Sequence, residues 1–484
     1  MIEDITKAES PGYIYAPVDF EPSKYPGPIA DHPDAARWLL NSIYFNRLLR
    51  NFSEDDPVNL NAKLLGLVMG DINKVRPVRE ALEERRLISC DHSYVKGHKS
   101  FSFTLGPALK GVGWERYRSG SKAFNNRVNS FKEYVRNPTG FDVAVHDHLE
   151  KWARLVEISP DLDFNRLDFP EEAKEQLAIH QVEMIRDRYI RLTVCPYGRF
   201  HSNYSGLCRE IRPYLKINGF HLAEIDIVNS QPYFLSLILI QEFIHSQSLP
   251  NSPNQSYFTS ITSLSHSSSS SPKERGTTTH PYDSVTKGLG DALEIPEDLM
   301  NLLKTCSEGK FYEDFANRSH WTREKVKRKI FQVIFGTTSL MEKSPIGLTF
   351  KQLYPTAYDL IVRLKKGKGY EWIGRELQRR ESRSIINGVC ERLREDHPEI
   401  PVVTVHDSLM VPDEDIPIVQ AILHDHFSQF ALPPSFKIKP AIETSQPGHG
   451  VETGIGWSGV DEENVHVQGR SGTWASCSSK AMGL

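Results

Sequence analysis

The chain reads as an α+β protein, and three observations carry that reading. Apolar residues recur with helical period along much of the length, as at Leu60, Leu64, Leu65 and Val68. Between helical stretches stand short strand-like runs, one of which, Phe101-Ser-Phe-Thr-Leu105, alternates strictly. Two further apolar runs, Leu222–Asp226 and Val402–Asp407, each close on an aspartate. With 484 residues, 39% of them hydrophobic and 25% charged, the chain has room for two or three cored domains of ordinary composition.

Residues 1–57 comprise a Pro/Gly-rich leader, loosely held over 1–30, and a helix over Ala35–Leu49. Residues 58–106 form a tighter unit. A helix over Leu60–Met69 ends at Gly70, and a second follows with Pro77 near its start and Val78, Ala81 and Leu82 facing inward. The strands Leu87–Cys90 and Phe101–Leu105 then flank the loop Tyr94-Val-Lys-Gly-His-Lys99. This order resembles a winged helix, in which the second helix enters the major groove of duplex DNA and the wing touches phosphates. Arg76, Arg79 and Arg86 on the helix, with Lys96 and Lys99 at the wing tip, are its candidate DNA contacts. Winged helices also mediate protein contacts, which is the competing reading.

Residues 107–190 are mainly helical, a connector with no motif of its own. Residues 246–288, with the serine run Ser267–Ser271, carry too little apolar surface to build a core and predict a disordered insertion; the Gly/Ser-rich tail over 446–484 predicts a mobile end.

Composition sets limits on function. No apolar run reaches membrane-spanning length, since Tyr233–Ile240 is too short. The start, MIEDITKAES, has neither a basic segment nor an apolar core, which predicts a cytoplasmic protein without a secretory signal. Six cysteines stand singly with no Cys-x2-Cys pair, which argues for reduced thiols and against a disulfide framework or a structural zinc site. A net charge of −4 excludes a general nucleic-acid coat but not a local basic channel, such as Arg323–Lys329 or Arg363–Arg383.

The chemistry concentrates in 191–445. Asp226 and Asp407, at the ends of two apolar strands, are of the type that holds Mg²⁺, a hard ion taking carboxylate oxygens. Either strand alone is commonplace. Between them Arg323, Lys327, Phe331 and Phe335 recur every four residues and precede Gly336. On one helix this spacing sets two cations, suited to a triphosphate, ahead of two rings, suited to a base and sugar. The plain alternative is an amphipathic helix with core rings and solvated cations.

The run Arg-x3-Lys-x3-Phe-x3-Phe-Gly resembles the fingers helix of family A DNA polymerases and single-subunit RNA polymerases. The strand ending in Asp226 resembles their first palm motif, and Val-His406-Asp407 the last. Cys195-Pro-Tyr-Gly198-Arg199 is similar to the T/D-x-x-G-R element that precedes them. All four occur in family order. The resemblance implies a right-hand fold: a palm with an antiparallel sheet, helical fingers, and the 107–190 connector as thumb. It also implies two Mg²⁺ ions, or Mn²⁺, held by Asp226, Asp407 and the Ile227 carbonyl. Arg323 and Lys327 would bind a nucleoside triphosphate, with Lys327 protonating the leaving pyrophosphate, and Phe331, Phe335 and Gln231 would line its pocket. His406 would stand by the primer terminus and Arg199 on the primer–template duplex, with the Arg363–Arg383 stretch as a template-phosphate contact.

Four positions depart from the family pattern. Phe335 stands for the usual tyrosine, Gln231 for the usual glutamate, Cys195 for Thr or Asp, and Ser408 matches the RNA enzymes. Bulky Gln231 and hydroxyl-free Phe335 point to deoxynucleotides, and so to a DNA polymerase suited to mobile-element or plasmid replication. The rivals are an RNA polymerase or primase on the same fold, and a non-catalytic DNA-binding initiator.

Overall fold

The structure is a computed structural model and describes residues 13–50, 55–95, 99–169, 172–247, 295–430 and 432–441. Near the N-terminus the run Ile-Tyr-Ala-Pro is buried at all four positions and forms β1 (Ile14–Pro17), antiparallel to β5 (Trp114–Tyr117). The expected loose leader is thus a core strand in its middle, because Ile14 and Tyr15 have apolar partners that only the fold supplies. After α1 (Pro28–Asp31), α2 (Pro33–Arg50) buries Trp38, Leu39, Leu40 and Ile43 in the same cluster.

The 58–106 unit is a helix–turn–helix with a three-stranded antiparallel sheet: β2 (Val58–Asn59), α3 (Ala62–Met69), α4 (Val75–Glu84), β3 (Ile88–Cys90) and β4 (Ser102–Leu105), in sheet order β2-β4-β3. The helix expected from Leu60 starts at Ala62 because the Asn61 side chain caps it. It stops at Gly70, whose φ of 81° favours a residue without Cβ. Three of the basic residues are placed differently from expectation, and the first is Arg86, which lies beyond the end of α4 with φ 57° rather than on its face. Arg79 is not on the exposed face: its guanidinium lies 5.1 Å from the Phe101 ring centroid and pairs with Glu80 and Glu83. Lys99 pairs with Asp91, while Arg76 is exposed and pairs with Glu80. Lys96 lies outside the described residues.

The 107–190 stretch does not form a unit of its own. Strand β5 and α5 (Lys122–Arg136) complete the N-terminal cluster, whereas α6 (Ala144–Leu155) and β6 (Glu157–Ile158) belong to the second one. The helix α7 (Glu172–Arg186) faces both, giving Val182 and Ile185 to one cluster and Met184 to the other.

The second cluster surrounds a six-stranded antiparallel sheet. Its strands are β6, β9 (Leu215–Ile217), β10 (Phe220–Ile227), β12 (Ser408–Pro412), β11 (Val403–Val405) and β13 (Phe436–Lys439), with β10 central and paired to β9, β12 and β13. A small ribbon, β7 (Leu192–Val194) with β8 (Phe200–Ser202), carries the Cys195–Arg199 turn between its strands. Helices α8 (Ser230–Gln247) and α9 (Glu297–Ser307) pack side by side. The insertion lies between them, and beyond Gln247 it falls outside the described residues, as does the 446–484 tail. Next come α10 (Phe311–Asn317), α11 (Arg323–Lys329), α12 (Phe331–Ile334), α13 (Thr338–Lys343), α14 (Pro345–Leu353) and α15 (Pro355–Lys368). The chain continues through α16 (Glu371–Ser382), a π-helical stretch over Arg383–Cys390 and α17 (Glu391–Asp396); α18 (Ile416–Phe427) precedes β13. Among the described residues no helix is long and apolar enough to cross a membrane.

Candidate active site

Antiparallel register brings the two aspartates together. Asp226 lies directly across from Ser408 in the β10–β12 pair, and Asp407 is the residue before Ser408, in the tight turn joining β11 to β12. His406 occupies the first position of that turn with φ 58°, a left-handed conformation normally left to glycine. Asn229, just beyond the other strand, has φ 57°. Strained non-glycine backbone thus flanks both carboxylates.

Both aspartates are half-buried, and the proton affinity of each is raised. For Asp226 burial is the main cause and the Asp407 charge the next, with Lys439, 3.8 Å away, opposing. For Asp407 burial again leads, followed by the Glu381 charge, while Arg199 and a hydrogen bond from Ser230 oppose. Two oxygen-donor side chains that repel one another and lack a full complement of cations match the donor set that Mg²⁺ or Mn²⁺ takes. Around them the buried Asn229 Nδ2, Gln231 Oε1 and His406 Nδ1 have no hydrogen-bond partner among the described residues.

Arg199 is buried rather than presented to a duplex. Its guanidinium meets Glu381 at 2.7 and 2.8 Å, and Glu381 is itself fully buried at 0% exposure. A buried carboxylate needs a cation, and Arg199 meets that need. Gln231 donates its amide Nε2 to the same carboxylate at 2.5 Å. This bond uses one of the two amide N–H donors and orients the side chain, leaving the buried Oε1 without a hydrogen-bond partner among the described residues. His406 is kept neutral, its pKa held well below the ordinary value by burial and then by Arg199, and its ring stands 5.8 Å from that of His201.

The cation–ring helix is not continuous. It divides at Ile330 into α11, which carries Arg323 and Lys327, and α12, which starts at Phe331. The rings of Phe331 and Phe335 are stacked with centroids 5.6 Å apart and planes 14° from parallel. Phe335 rests against Gly374 of α16, where a Cβ would come within 3.1 Å of the ring. Lys327 is exposed and Arg323 pairs with Glu313. Burial raises the proton affinity of the Tyr312 phenol, and the nearby charge of Asp407 adds to this while Arg323 opposes it. Beneath the rings buried Lys365 donates to the carbonyls of Val333 (2.5 Å) and Gly336 (2.8 Å), closing the end of α12; burial lowers its pKa to about 8. The Arg363–Arg383 stretch is therefore not a uniform phosphate-facing run: Lys365 points inward, Lys368 pairs with Glu242, and Arg380 with Glu376.

Glu381, Tyr312 and Lys365 were not singled out by sequence. Glu381 is an acid after two arginines in a basic helix, a pattern that ordinarily marks a solvated face, and only its 0% exposure sets it apart. Comparison of the chain with known protein families and with curated proteins found no match.

Proposed function

We propose that this chain is a template-dependent nucleotidyltransferase, a DNA polymerase of the right-hand, family A type. The observation that carries the reading is the β10–β12 register, which brings two mutually repelling carboxylates together at the ends of two central strands of an antiparallel sheet. Asp226 and Asp407 would hold two Mg²⁺ ions, with the Ile227 carbonyl as a further contact. When bound, such ions activate an attacking 3′-hydroxyl and neutralise charge on the leaving phosphate.

The protein's own residues supply binding and position. Arg323 and Lys327 bind the triphosphate of an incoming nucleotide, Arg323 exchanging Glu313 for phosphate, and Lys327 delivers a proton to pyrophosphate. Phe331 and Phe335 offer a stacked wall to base and sugar. Gln231, held by Glu381, occupies the sugar edge. Neutral His406 adjoins the primer end, and Arg199 acts through Glu381 rather than on the duplex. The helix–turn–helix unit binds duplex DNA through Arg76 and the wing. Thumb function falls to α6 and α7.

The test is extension of a labelled primer–template by the full chain with Mg²⁺ and either dNTPs or NTPs. Template-dependent incorporation of dNTPs is expected. Equal or better use of NTPs would move the reading to an RNA polymerase on the same site, which Ser408 favours; duplex binding without incorporation of either would leave a DNA-binding initiator.

A further inference from the structure

Away from the aspartate pair, three potential metal ligands of different chemistry converge at the base of the wing. Glu83 lies in the last turn of α4, Cys90 ends β3, and His92 follows two residues later; their donor atoms all lie within 4.8 Å of one another. His92 has φ 48°, and its Nε2 stands 3.0 Å from Glu83 Oε1. A left-handed histidine is an uncommon conformation, and it accompanies an imidazole turned toward the helix.

The surrounding contacts sort the ligands from their supports. Arg79 Nε stands 3.4 Å from the other Glu83 oxygen, Oε2, as an ion pair, while Arg79 Nη2 hydrogen-bonds Glu80 at 3.0 Å. Oε1 stands against His92, while its twin faces a cation, the charge that second-layer groups place beside metal-binding carboxylates. Asp91, between Cys90 and His92, is already occupied: it takes Lys99 and the backbone N–H groups of Ser93 and Ser102. Glu83 is mostly covered while His92 is 59% exposed, so the cluster opens to solvent on one side.

We propose that Glu83, Cys90 and His92 form a binding site for a borderline-soft divalent ion of the Zn²⁺ class, with water in the fourth position. One thiolate, one imidazole and one carboxylate suit tetrahedral Zn²⁺ and do not suit Mg²⁺, which takes oxygen only. The site is therefore chemically separate from the aspartate pair. The ion would join the end of α4 to the strand leading into the wing, fixing the wing relative to the second helix. No Cys-x2-Cys spacing announces these ligands, because the helix and the strand bring them together.

The experiment is titration of the full chain with Co²⁺, read by the near-ultraviolet thiolate-to-cobalt charge-transfer band. Carboxylates at Asp226 and Asp407 give no such band. One equivalent is expected, displaced by Zn²⁺. Cys90→Ser should lose the band, and His92→Ala should weaken binding roughly tenfold or more. Asp91→Asn should retain it. Zn²⁺ should also raise the melting temperature of wild type but not of His92→Ala. Absence of a charge-transfer band, or a band of equal strength in Cys90→Ser, overturns the assignment.

Discussion

At the scale of single residues, the decisive feature is unrelieved negative charge. Asp226 and Asp407 hold protons more tightly than free carboxylates do, chiefly through burial. The native state then binds more protons than the unfolded chain between the ordinary carboxylate value, near ~4, and neutrality. Metal-free protein should lose stability as pH rises through that window, and Mg²⁺ should restore it. Asp226→Asn or Asp407→Asn should abolish nucleotide incorporation yet stabilise the metal-free fold at pH 8, by about 1 kcal/mol or more. Primer extension together with thermal melts at acid and alkaline pH checks both halves; activity within tenfold of wild type would remove these residues from the site. Glu381→Gln differs in kind. It strips a buried arginine of its counter-charge, and breaking such a pair costs roughly 3–5 kcal/mol. It also removes a like charge from beside Asp407, so the acid limb of the activity profile should move to lower pH. Urea melts and a pH–rate profile separate the two effects. For sugar choice, Gln231→Gly should raise ribonucleotide use, read as kcat/KM for dNTP against NTP, and Phe335→Tyr should do so less. The wild-type amide offers an acceptor to a ribose 2′-hydroxyl, so its discrimination is expected to be incomplete.

The helices and hairpins carry the next layer. Ile330 at the join of α11 and α12 keeps right-handed helical backbone, so the cations of α11 precede the rings of α12 along the chain with helical spacing. Arg323→Ala and Lys327→Ala should each weaken nucleotide binding or slow transfer by roughly tenfold or more, since each removes a charge-assisted phosphate contact. Duplex affinity should hardly change. A collapse of DNA affinity with normal nucleotide kinetics would instead make α11 a DNA-contacting element. In the helix–turn–helix unit, Glu80, Glu83 and Asp91 pair with the basic side chains that DNA would use. Affinity for duplex should accordingly be modest and fall steeply with salt, and Arg76→Ala should reduce it.

For the whole molecule, the two apolar clusters share α7, so the N-terminal part is docked on the sheet-containing part rather than strung to it. The His180 ring of α7 meets Tyr44 of α2, and Gln181 reaches the Leu48 carbonyl. A change in α7 should therefore be felt in both parts. For the insertion the opposite is expected. Its flanking helices α8 and α9 already pack together, which leaves little for the intervening segment to contribute. Deleting residues 250–285 should leave soluble, active protein; insoluble product, or loss of activity in a folded deletion, would give that segment a structural part.

Local pattern in the sequence was sufficient for the α+β class, for the helix–turn–helix and its sheet, and for the two aspartates at strand ends. Each depends on near neighbours: period in a helix, alternation in a strand, a glycine stop. What required the tertiary structure were facts about distant pairs. Ile14–Pro17 is a strand only because Trp114–Tyr117 lies beside it. Arg199 is a buried anchor only because Glu381, far along the chain, enters the same pocket. A charged side chain looks the same in a sequence whether solvent or a partner receives it. The free energy that distinguishes the two is set by desolvation, and desolvation is a property of the assembled fold.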